Sequence, residues 1–204
     1  MLLPNSVYCV CIFKRAVCGV FRYTSDSVTA GRRPKKLAAE ELFEYAVKSL
    51  GARASSAGDL KAKLRTRAAN PADADAAIAR LTDLRYLDDK RFAESYAAAR
   101  VENEGFGRMR VLQDLRARRI AGDMADKAVE QAIGDKTEDE LIEAFIARRM
   151  SSIASGGPIE DERKLAAAYR KLRRAGFTSG GILKALKRLA ARPEEIEEPP
   201  EDES

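Results

Sequence analysis

The stretch from Tyr86 to Ile120 reads YLDDKRFAESYAAARVENEGFGRMRVLQDLRARRI, the pattern of two helices joined by a glycine corner. An aspartate at position 88 or 89 can accept hydrogen bonds from the free amides of a first helical turn. Gly105 and Gly107 then interrupt the helical pattern. Apolar residues return at helical spacing after this corner, at Met109, Leu112 and Leu115.

A shift of 51 residues lays the preceding part of the chain onto this stretch. Tyr45 falls on Tyr96, and Leu64 falls on Leu115. The same register aligns Leu60 with Val111, Arg67 with Arg118, Ala74 with Ala125, and Ile78 with Val129. A shift of 57 residues aligns Leu115 with Leu172, Ile120 with Phe177, and Val129 with Leu186. This recurrence predicts an all-α protein of three tandem three-helix repeats, stacked into an elongated, curved array of either hand.

The recurrence also predicts where the segments of the chain begin and end. Repeat 1 covers residues 37–86, repeat 2 covers residues 87–135, and repeat 3 covers residues 136–192. The N-terminal extension, residues 1–36, and the acidic tail, residues 193–204, lie outside the repeats. We expect both to be disordered. The tail in particular holds seven acids and one apolar side chain, too little apolar surface to order itself.

Local signals mark helix boundaries inside the repeats. Ser56 with Asp59, and Thr137 with Glu140, have the form of capping boxes. Further helix starts are predicted at Asn70-Pro71 and Thr178, a helix end at Gly51, and a long loop from Ser151 to Pro158.

The spaced residues of the 86–120 stretch resemble the middle repeat of the RecX family, regulators of the recombinase RecA. The residues that carry the resemblance are Tyr86, Leu87, Asp88, Asp89, Phe92, Ala93, Tyr96, Arg100, Gly105, Gly107, Arg110, Leu115 and Ile120. The resemblance implies a cytoplasmic bacterial regulator that lodges in the groove of a RecA–DNA filament and bridges neighbouring protomers. It further implies restraint of the recombinase, ATPase and coprotease activities of RecA, and hence a role in homologous recombination, DNA repair and the SOS response.

The charges of the chain are unevenly distributed. Net charge is +5, but the tail holds seven acids and no base, so the preceding 192 residues carry +12. Residues 163–192 contain ten basic residues and no acid. Because like charges on one helix repel, an uncompensated run of this length indicates an anionic partner. The phosphates of a nucleic acid and the carboxylates of an acidic protein surface both fit, and the sequence does not separate them.

The candidate contact residues are basic side chains, most of them on the second helices of the repeats. They are Lys61, Lys63, Arg65, Arg67, Arg100, Arg108, Arg110, Arg116, Arg118, Arg119, Arg170, Lys171, Arg174, Lys184, Lys187 and Arg188. Arg100 and Arg110 also match the family pattern, whereas the others are chosen on charge alone. If matching helices stack, these cations form a basic stripe along one side, which suits a filament better than a small molecule.

Composition and motifs argue against catalysis. The chain has no His, which removes His-dependent triads and His metal sites, and its cysteines are confined to positions 9, 11 and 18. Three thiolates without an evident fourth ligand make a poor zinc site, and no disulfide framework is possible in the repeats. Gly105-Phe106-Gly107 lacks the other residues of a nucleotide-binding loop. We therefore expect no enzyme activity, cofactor or metal.

Other conspicuous residues have structural explanations. Asp88 and Asp89 fit helix caps better than paired catalytic carboxylates. Six aromatic residues at helical spacing are expected in the core rather than as base-stacking platforms: Tyr45, Phe92, Tyr96, Phe145, Tyr169 and Phe177. Phe106 sits between two glycines, and this corner is expected to leave it exposed.

The leading hypothesis is a monomeric regulator whose partner is the RecA filament, with weak, salt-sensitive binding to single-stranded or duplex DNA and no membrane association. The apolar start of the chain is interrupted by Lys14 and Arg15 and is too short to span a bilayer. The alternative is a helical repeat protein that binds nucleic acid by itself, without sequence specificity. An enzyme is the third class, and it lacks any supporting motif.

Overall fold

The computed structural model describes residues 36–154 and 158–195. Within these ranges the fold is all-α, as predicted, and extended pairing is limited to two isolated β-bridges. The cysteines and most of the N-terminal extension lie outside the described residues, as does the tail from residue 196 onward.

The first three helices surround a core of their own. They are α1 (Ala39–Ala52), α2 (Ala57–Arg67) and α3 (Pro71–Asp83). The buried side chains of this core are Leu42, Ala46, Leu60, Leu64, Ala68, Ala74, Ala77, Leu81 and Leu87. α1 continues one residue past Gly51, so this glycine does not end the helix as predicted.

The next three helices follow the first three at the 51-residue spacing. They are α4 (Asp89–Ala99), α5 (Arg108–Ala117) and α6 (Gly122–Ile133). α4 runs on through a π-helix, Arg100–Glu104, which ends at Gly105 with a left-handed φ of 72°. A single π-turn of this kind is typically found as a local bulge and is frequent at functional sites.

The third group contains an extra helical turn. Its helices are α7 (Glu138–Arg149), the four-residue α8 (Ser151–Ala154), α9 (Glu162–Ala175) and α10 (Ser179–Leu189). The prediction of a loop from Ser151 to Pro158 was thus wrong over α8. Pro193–Glu195, at the start of the predicted tail, form a 3-10 helix. The division into three repeats at residues 86, 135 and 192, and the stacking of the repeats, stay predictions.

Polar side chains start the helices largely where the sequence placed them. Thr137 and Glu140 form the predicted capping box of α7, and Thr178 caps α10. Asn70 caps α3 with Pro71 in its first turn. Ser56 caps α2 by accepting a hydrogen bond from the backbone of Asp59, but the Asp59 carboxylate does not return one and pairs elsewhere.

The adjacent aspartates at positions 88 and 89 have different roles. Asp88 caps α4 by accepting a hydrogen bond from the Arg91 amide at 2.9 Å. Asp89 reaches the preceding group of helices, where its Oδ1 accepts from the Ala57 amide at 2.7 Å. Ser56 adds a second polar link, because its buried hydroxyl donates to the carbonyl of Arg118 after α5. The first and second groups therefore meet through hydrogen bonds at the start of α2.

Helices α4 to α7 share one apolar core with α9 and α10. Phe145 of α7 and Phe177 pack edge to face, with ring centroids 5.8 Å apart. A backbone hydrogen bond joins the second and third groups of helices at the same place, since the Gly107 amide donates to the carbonyl of Ala175 at 2.8 Å. Gly176 has a φ of 92° and lies directly against the backbone of Arg110, which leaves no room for a Cβ. The joint between the second and third groups is therefore tightly packed.

Several side chains are buried to a different extent than predicted. Met109 is 56% exposed, and Val111 takes its place in the inward face of α5. Phe106 is half-buried against the shared core instead of exposed. Tyr45 and Tyr96 are likewise only partly buried, because each ring also faces a guanidinium.

The two β-bridges relate two helix pairs that the shifts of 51 and 57 residues do not align. Leu37 pairs with Ala68, and Ile159 pairs with Ala190, so each bridge joins residues 31 positions apart. Each one closes a helical hairpin, α1–α2 in the first case and α9–α10 in the second. The hairpin α9–α10 is thus closed by the same kind of bridge as α1–α2, and this bridge ties the end of α10 to the segment before α9.

Candidate polyanion-binding surface

Two of the four cations of α2 are paired with an acid of their own group of helices. Lys61 Nζ lies 2.9 Å from Asp75 Oδ1, and Arg65 lies 3.2 Å from the same carboxylate. The hydrogen bond from Lys61 lowers the pKa of Asp75. Lys63 donates to the Ser49 hydroxyl at 2.6 Å, so it is engaged without being neutralised.

A guanidinium covers the half-buried tyrosine of each of the first two groups. Arg67 Cζ lies 4.5 Å from the Tyr45 ring centroid, and Arg118 Cζ lies 4.5 Å from that of Tyr96. These pairs are related by the 51-residue shift, so the repeat conserves a cation–π contact as well as its apolar positions. In both arginines, one face of the guanidinium therefore packs on a tyrosine ring.

Arg100 is committed to an internal network. Its guanidinium donates to the Tyr96 hydroxyl at 2.6 Å and 2.8 Å, pairs with Glu104, and lies 3.5 Å from Asp114. Burial disfavours the charged guanidinium, but the bonds to Tyr96 and Glu104 outweigh this effect and raise the pKa of Arg100. With a side chain only 24% exposed, Arg100 holds the π-helix against α5.

The arginines at the start of α5 each have an acidic neighbour. Arg108 lies 3.8 Å from Asp126. Arg110 Nε lies 3.2 Å from Asp114 without hydrogen-bond geometry, and its guanidinium also faces the Phe106 ring. These contacts leave both side chains partly exposed.

Of the three arginines at the end of α5, one is exposed on the surface and two contact the first group of helices. Arg116 is exposed, and no ion pair to it occurs among the described residues. Arg119 pairs with Asp59 at 2.7 Å and has a left-handed φ of 58°, while Arg118 lies 4.0 Å from the same carboxylate. Arg118 and Arg119 thus tie the second group of helices to the first.

The cations of α10 meet acids on α7. Lys184 lies 2.7 Å from Asp139, and its hydrogen bond lowers the pKa of that carboxyl group. Arg188 lies 3.4 Å from Asp139 and 3.2 Å from Glu143. Lys187 is half-buried on the same helix. Two of the ten cations of the basic run, Lys184 and Arg188, are therefore paired in the fold with acids about 45 residues earlier in the chain.

The cations of α9 differ from those of α10. Six basic side chains on this helix have no ion pair to an acid within the described ranges: Arg163, Lys164, Arg170, Lys171, Arg173 and Arg174. Three of these side chains donate to backbone carbonyls: Lys171 to that of Arg149, Arg173 to that of Phe177, and Arg174 to that of Arg170. All six are exposed.

Three of these arginines form a line on the solvent side of α9. Arg163, Arg170 and Arg174 are separated by seven and four residues, a spacing that places them on one face of a helix. Buried Ala168 and Leu172 lie on the opposite face. We call Arg163, Arg170 and Arg174 the outer stripe. Arg163 was absent from the sequence-based candidates, although its place in the basic run was the available signal.

Neither a metal site nor a membrane span emerges from the described residues. They contain no cluster of His, Cys, Asp or Glu able to hold a metal ion. None of their helices combines the length and apolar character that crossing a bilayer requires. The chemistry of this surface is therefore that of fixed guanidinium and ammonium donors.

Comparison with known proteins places this architecture in a family. The family model described as RecX, second three-helix domain, matches residues 88–129. The chain is 31% identical over 173 residues to the Regulatory protein RecX of Deinococcus radiodurans, covering 82% of this chain and 79% of that protein. It is 30% identical to the Regulatory protein RecX of Halorhodospira halophila, covering 80% and 95% respectively.

A solved structure supports the same fold. The crystal structure of RecX from Lactobacillus salivarius superposes with a TM-score of 0.59 at 18% identity, covering 74% of this chain and 96% of that one. At this identity the likeness concerns the fold alone. The sequence relatives carry the assignment, and they show that the chain belongs to the RecX family of regulatory proteins.

Proposed function

We propose that this chain regulates RecA by binding the RecA–DNA filament, with the outer stripe of α9 as its main anion-binding surface. The observation that supports this proposal most is that Arg163, Arg170 and Arg174 are exposed on one helix face and have no acidic partner in residues 36–154 and 158–195. Membership in the RecX family supports RecA as the partner, because the family resemblance implies regulation of that recombinase.

The stripe has the properties that a repeating anionic surface requires. A guanidinium is always charged and pairs with two oxygens of a phosphate or carboxylate at once. Contacts of this type position a protein on a backbone without reading its sequence. A RecA–DNA filament presents both kinds of anion. In this proposal the chain binds it as a cytoplasmic monomer, without cofactor or catalysis.

Binding along the filament would restrain RecA in a simple physical way. A rigid helical body that contacts neighbouring subunits opposes the subunit movements that accompany nucleotide turnover. It also covers surface that a second DNA strand or a cleavable repressor must approach. The recombinase, ATPase and coprotease activities would then fall together, in proportion to the filament sites occupied.

The test is a titration of RecA ATPase activity on single-stranded DNA with increasing amounts of this chain. We expect the rate to fall and then level off as the filament fills, with inhibition weakening between 50 and 200 mM salt. Bovine serum albumin at equal concentration controls for protein crowding. An ATPase rate that is unchanged at saturating chain would contradict the proposal.

A stand-alone nucleic-acid-binding protein is the second candidate. The lack of acidic partners for the cations of α9 among the described residues favours it, because free phosphate backbones satisfy such a helix without any protein partner. Fluorescence anisotropy with labelled single-stranded and duplex DNA distinguishes the two candidates. Equal affinity with and without RecA, together with an unaffected ATPase rate, would favour this second function.

A further inference from the structure

A groove of about 620 Å³ lies between the end of α7 and the start of α9. We call it the α7–α9 groove. Its floor is apolar, formed by Met150, Ile159 and Ala168, which are buried, and by half-buried Ile153. A groove with such a floor offers an apolar side chain a place to be removed from water.

The rim of the α7–α9 groove is basic. Arg149 and Lys164 are exposed on it without ion pairs among the described residues, and Lys171 spans it to the Arg149 carbonyl. Glu160 and Asp161 also line the groove. Asp161 is partly compensated, since its carboxylate caps α9 by accepting from the Arg163 amide at 2.9 Å. The groove therefore suits an acidic peptide with an apolar residue among its acids.

The chain itself carries a peptide of that composition. Residues 193–204 read PEEIEEPPEDES, with seven acids and with Ile196 as the one large apolar side chain. Ile196 is flanked by two glutamates on each side. The charge and the single apolar residue of this segment match the rim and the floor of the groove.

The fold also brings this segment to the groove. The bridge between Ile159 and Ala190 fixes the end of α10 beside a residue of the groove floor. Ile196 follows Ala190 by six residues, a path of at most about 20 Å from the residue that pairs with Ile159. The eight residues after Ile196 extend at most about 27 Å, whereas the 14 residues of α9 span about 21 Å. The segment is thus long enough for Ile196 to reach the groove floor and for the later acids to follow α9.

We propose that the acidic segment binds the α7–α9 groove of its own chain, with Ile196 on the apolar floor and its glutamates against Arg149 and Lys164. Since the two are joined covalently, the local concentration of the segment at the groove is about millimolar. The segment would then compete with external anions for the cations of α9. That competition rests on the function proposed above, whereas the intramolecular contact does not.

The contact can be tested without RecA or DNA. The chain ending at Glu195 is mixed with a fluorescent peptide of residues 193–204, and binding is followed by anisotropy at low salt. We expect the shortened chain to bind the peptide, and the full chain to bind it about tenfold more weakly because its own segment fills the groove. Substituting Arg149→Gln with Lys164→Gln in the shortened chain should weaken binding by about tenfold, the loss of two charge contacts.

Matched controls separate this contact from general charge attraction. Lys127→Gln with Lys136→Gln removes two exposed lysines that do not line the groove, and it should leave peptide binding unchanged. A peptide with Ile196→Ser should bind more weakly than the parent peptide. Equal binding by the full and shortened chains, or equal losses in the two double variants, would overturn the proposal. Either result would leave the RecA titration unaffected, so the two proposals can fail separately.

Discussion

Gly176→Ala is expected to lower the free energy of unfolding by about 3 kcal/mol, combining a left-handed backbone position with overpacking. Gly176 has a φ of 92°, and an added Cβ would lie 2.3 Å from the Arg110 amide nitrogen and 2.5 Å from its Cβ. These are atoms of the backbone and its first side-chain carbon, so no flexible side chain can move aside. Relief requires α5 to separate from the end of α9.

Urea denaturation followed by circular dichroism measures this effect. Gly122→Ala is the matched control, because Gly122 begins α6 with nothing within 4 Å of its added Cβ. We expect that control to be neutral or slightly stabilising, by up to about 1 kcal/mol, as alanine favours helix over glycine. Equal unfolding midpoints for the two variants would show that the second and third groups of helices do not pack as described.

Replacing the outer stripe with alanine is expected to have the largest effect on binding. The variant with Arg163→Ala, Arg170→Ala and Arg174→Ala should bind the RecA–DNA filament about 100-fold more weakly, at about 1 kcal/mol for each lost hydrogen-bonded contact. If DNA phosphates are the partners, the slope of log affinity against log salt should also decrease by about 2. Anisotropy of filaments on labelled DNA measures both quantities.

A control variant removes the same charge from cations that already have acidic partners. Lys61, Arg65 and Arg188 pair with Asp75, Asp139 and Glu143 at 2.9 to 3.4 Å. Replacing these three by alanine should change affinity by less than about fivefold, since exposed paired charges contribute little. A loss of affinity as large as that of the stripe variant would show that net charge, rather than the outer stripe, drives binding.

The arginines at the end of α5 are a poorer choice for such a test. Arg118 and Arg119 both contact Asp59, and Arg118 also covers Tyr96. A variant lacking them would loosen the joint between the first and second groups of helices as well as any binding surface. Of the three arginines there, Arg116 alone combines exposure with the absence of an ion pair in the described part of the chain.

The helices were predictable because their signals are local. A cap such as Thr137 or Asn70 acts within three residues of its own position, and helical periodicity extends over only a few turns. The 51-residue shift then carried the bounds of α1 to α3 onto those of α4 to α6. One exception is the π-helix before Gly105, where the backbone departs from an α-helix. Another is Met109, which is exposed in the first turn of α5 although periodicity placed it inward.

Which cations are paired with acids could not be predicted from the local sequence. Lys184 and Lys171 belong to one uninterrupted basic run in the sequence. In the fold, Lys184 meets Asp139 of α7, whereas Lys171 finds only a backbone carbonyl. The difference depends on which helix lies beside α10 and which lies beside α9. Likewise Arg100 matched the family pattern, but only the structure shows that Tyr96, Glu104 and Asp114 surround it.

The most direct test of the account is a photo-crosslink from the outer stripe. A p-benzoylphenylalanine at position 170 is irradiated with RecA filaments assembled on single-stranded DNA, and a probe at position 127 on α6 serves as the control. We predict adducts to RecA or DNA from position 170 that require the assembled filament and that are absent from position 127. Adducts from position 127 alone, or none from 170 while the chain inhibits RecA, would contradict the assignment of α9 as the binding surface.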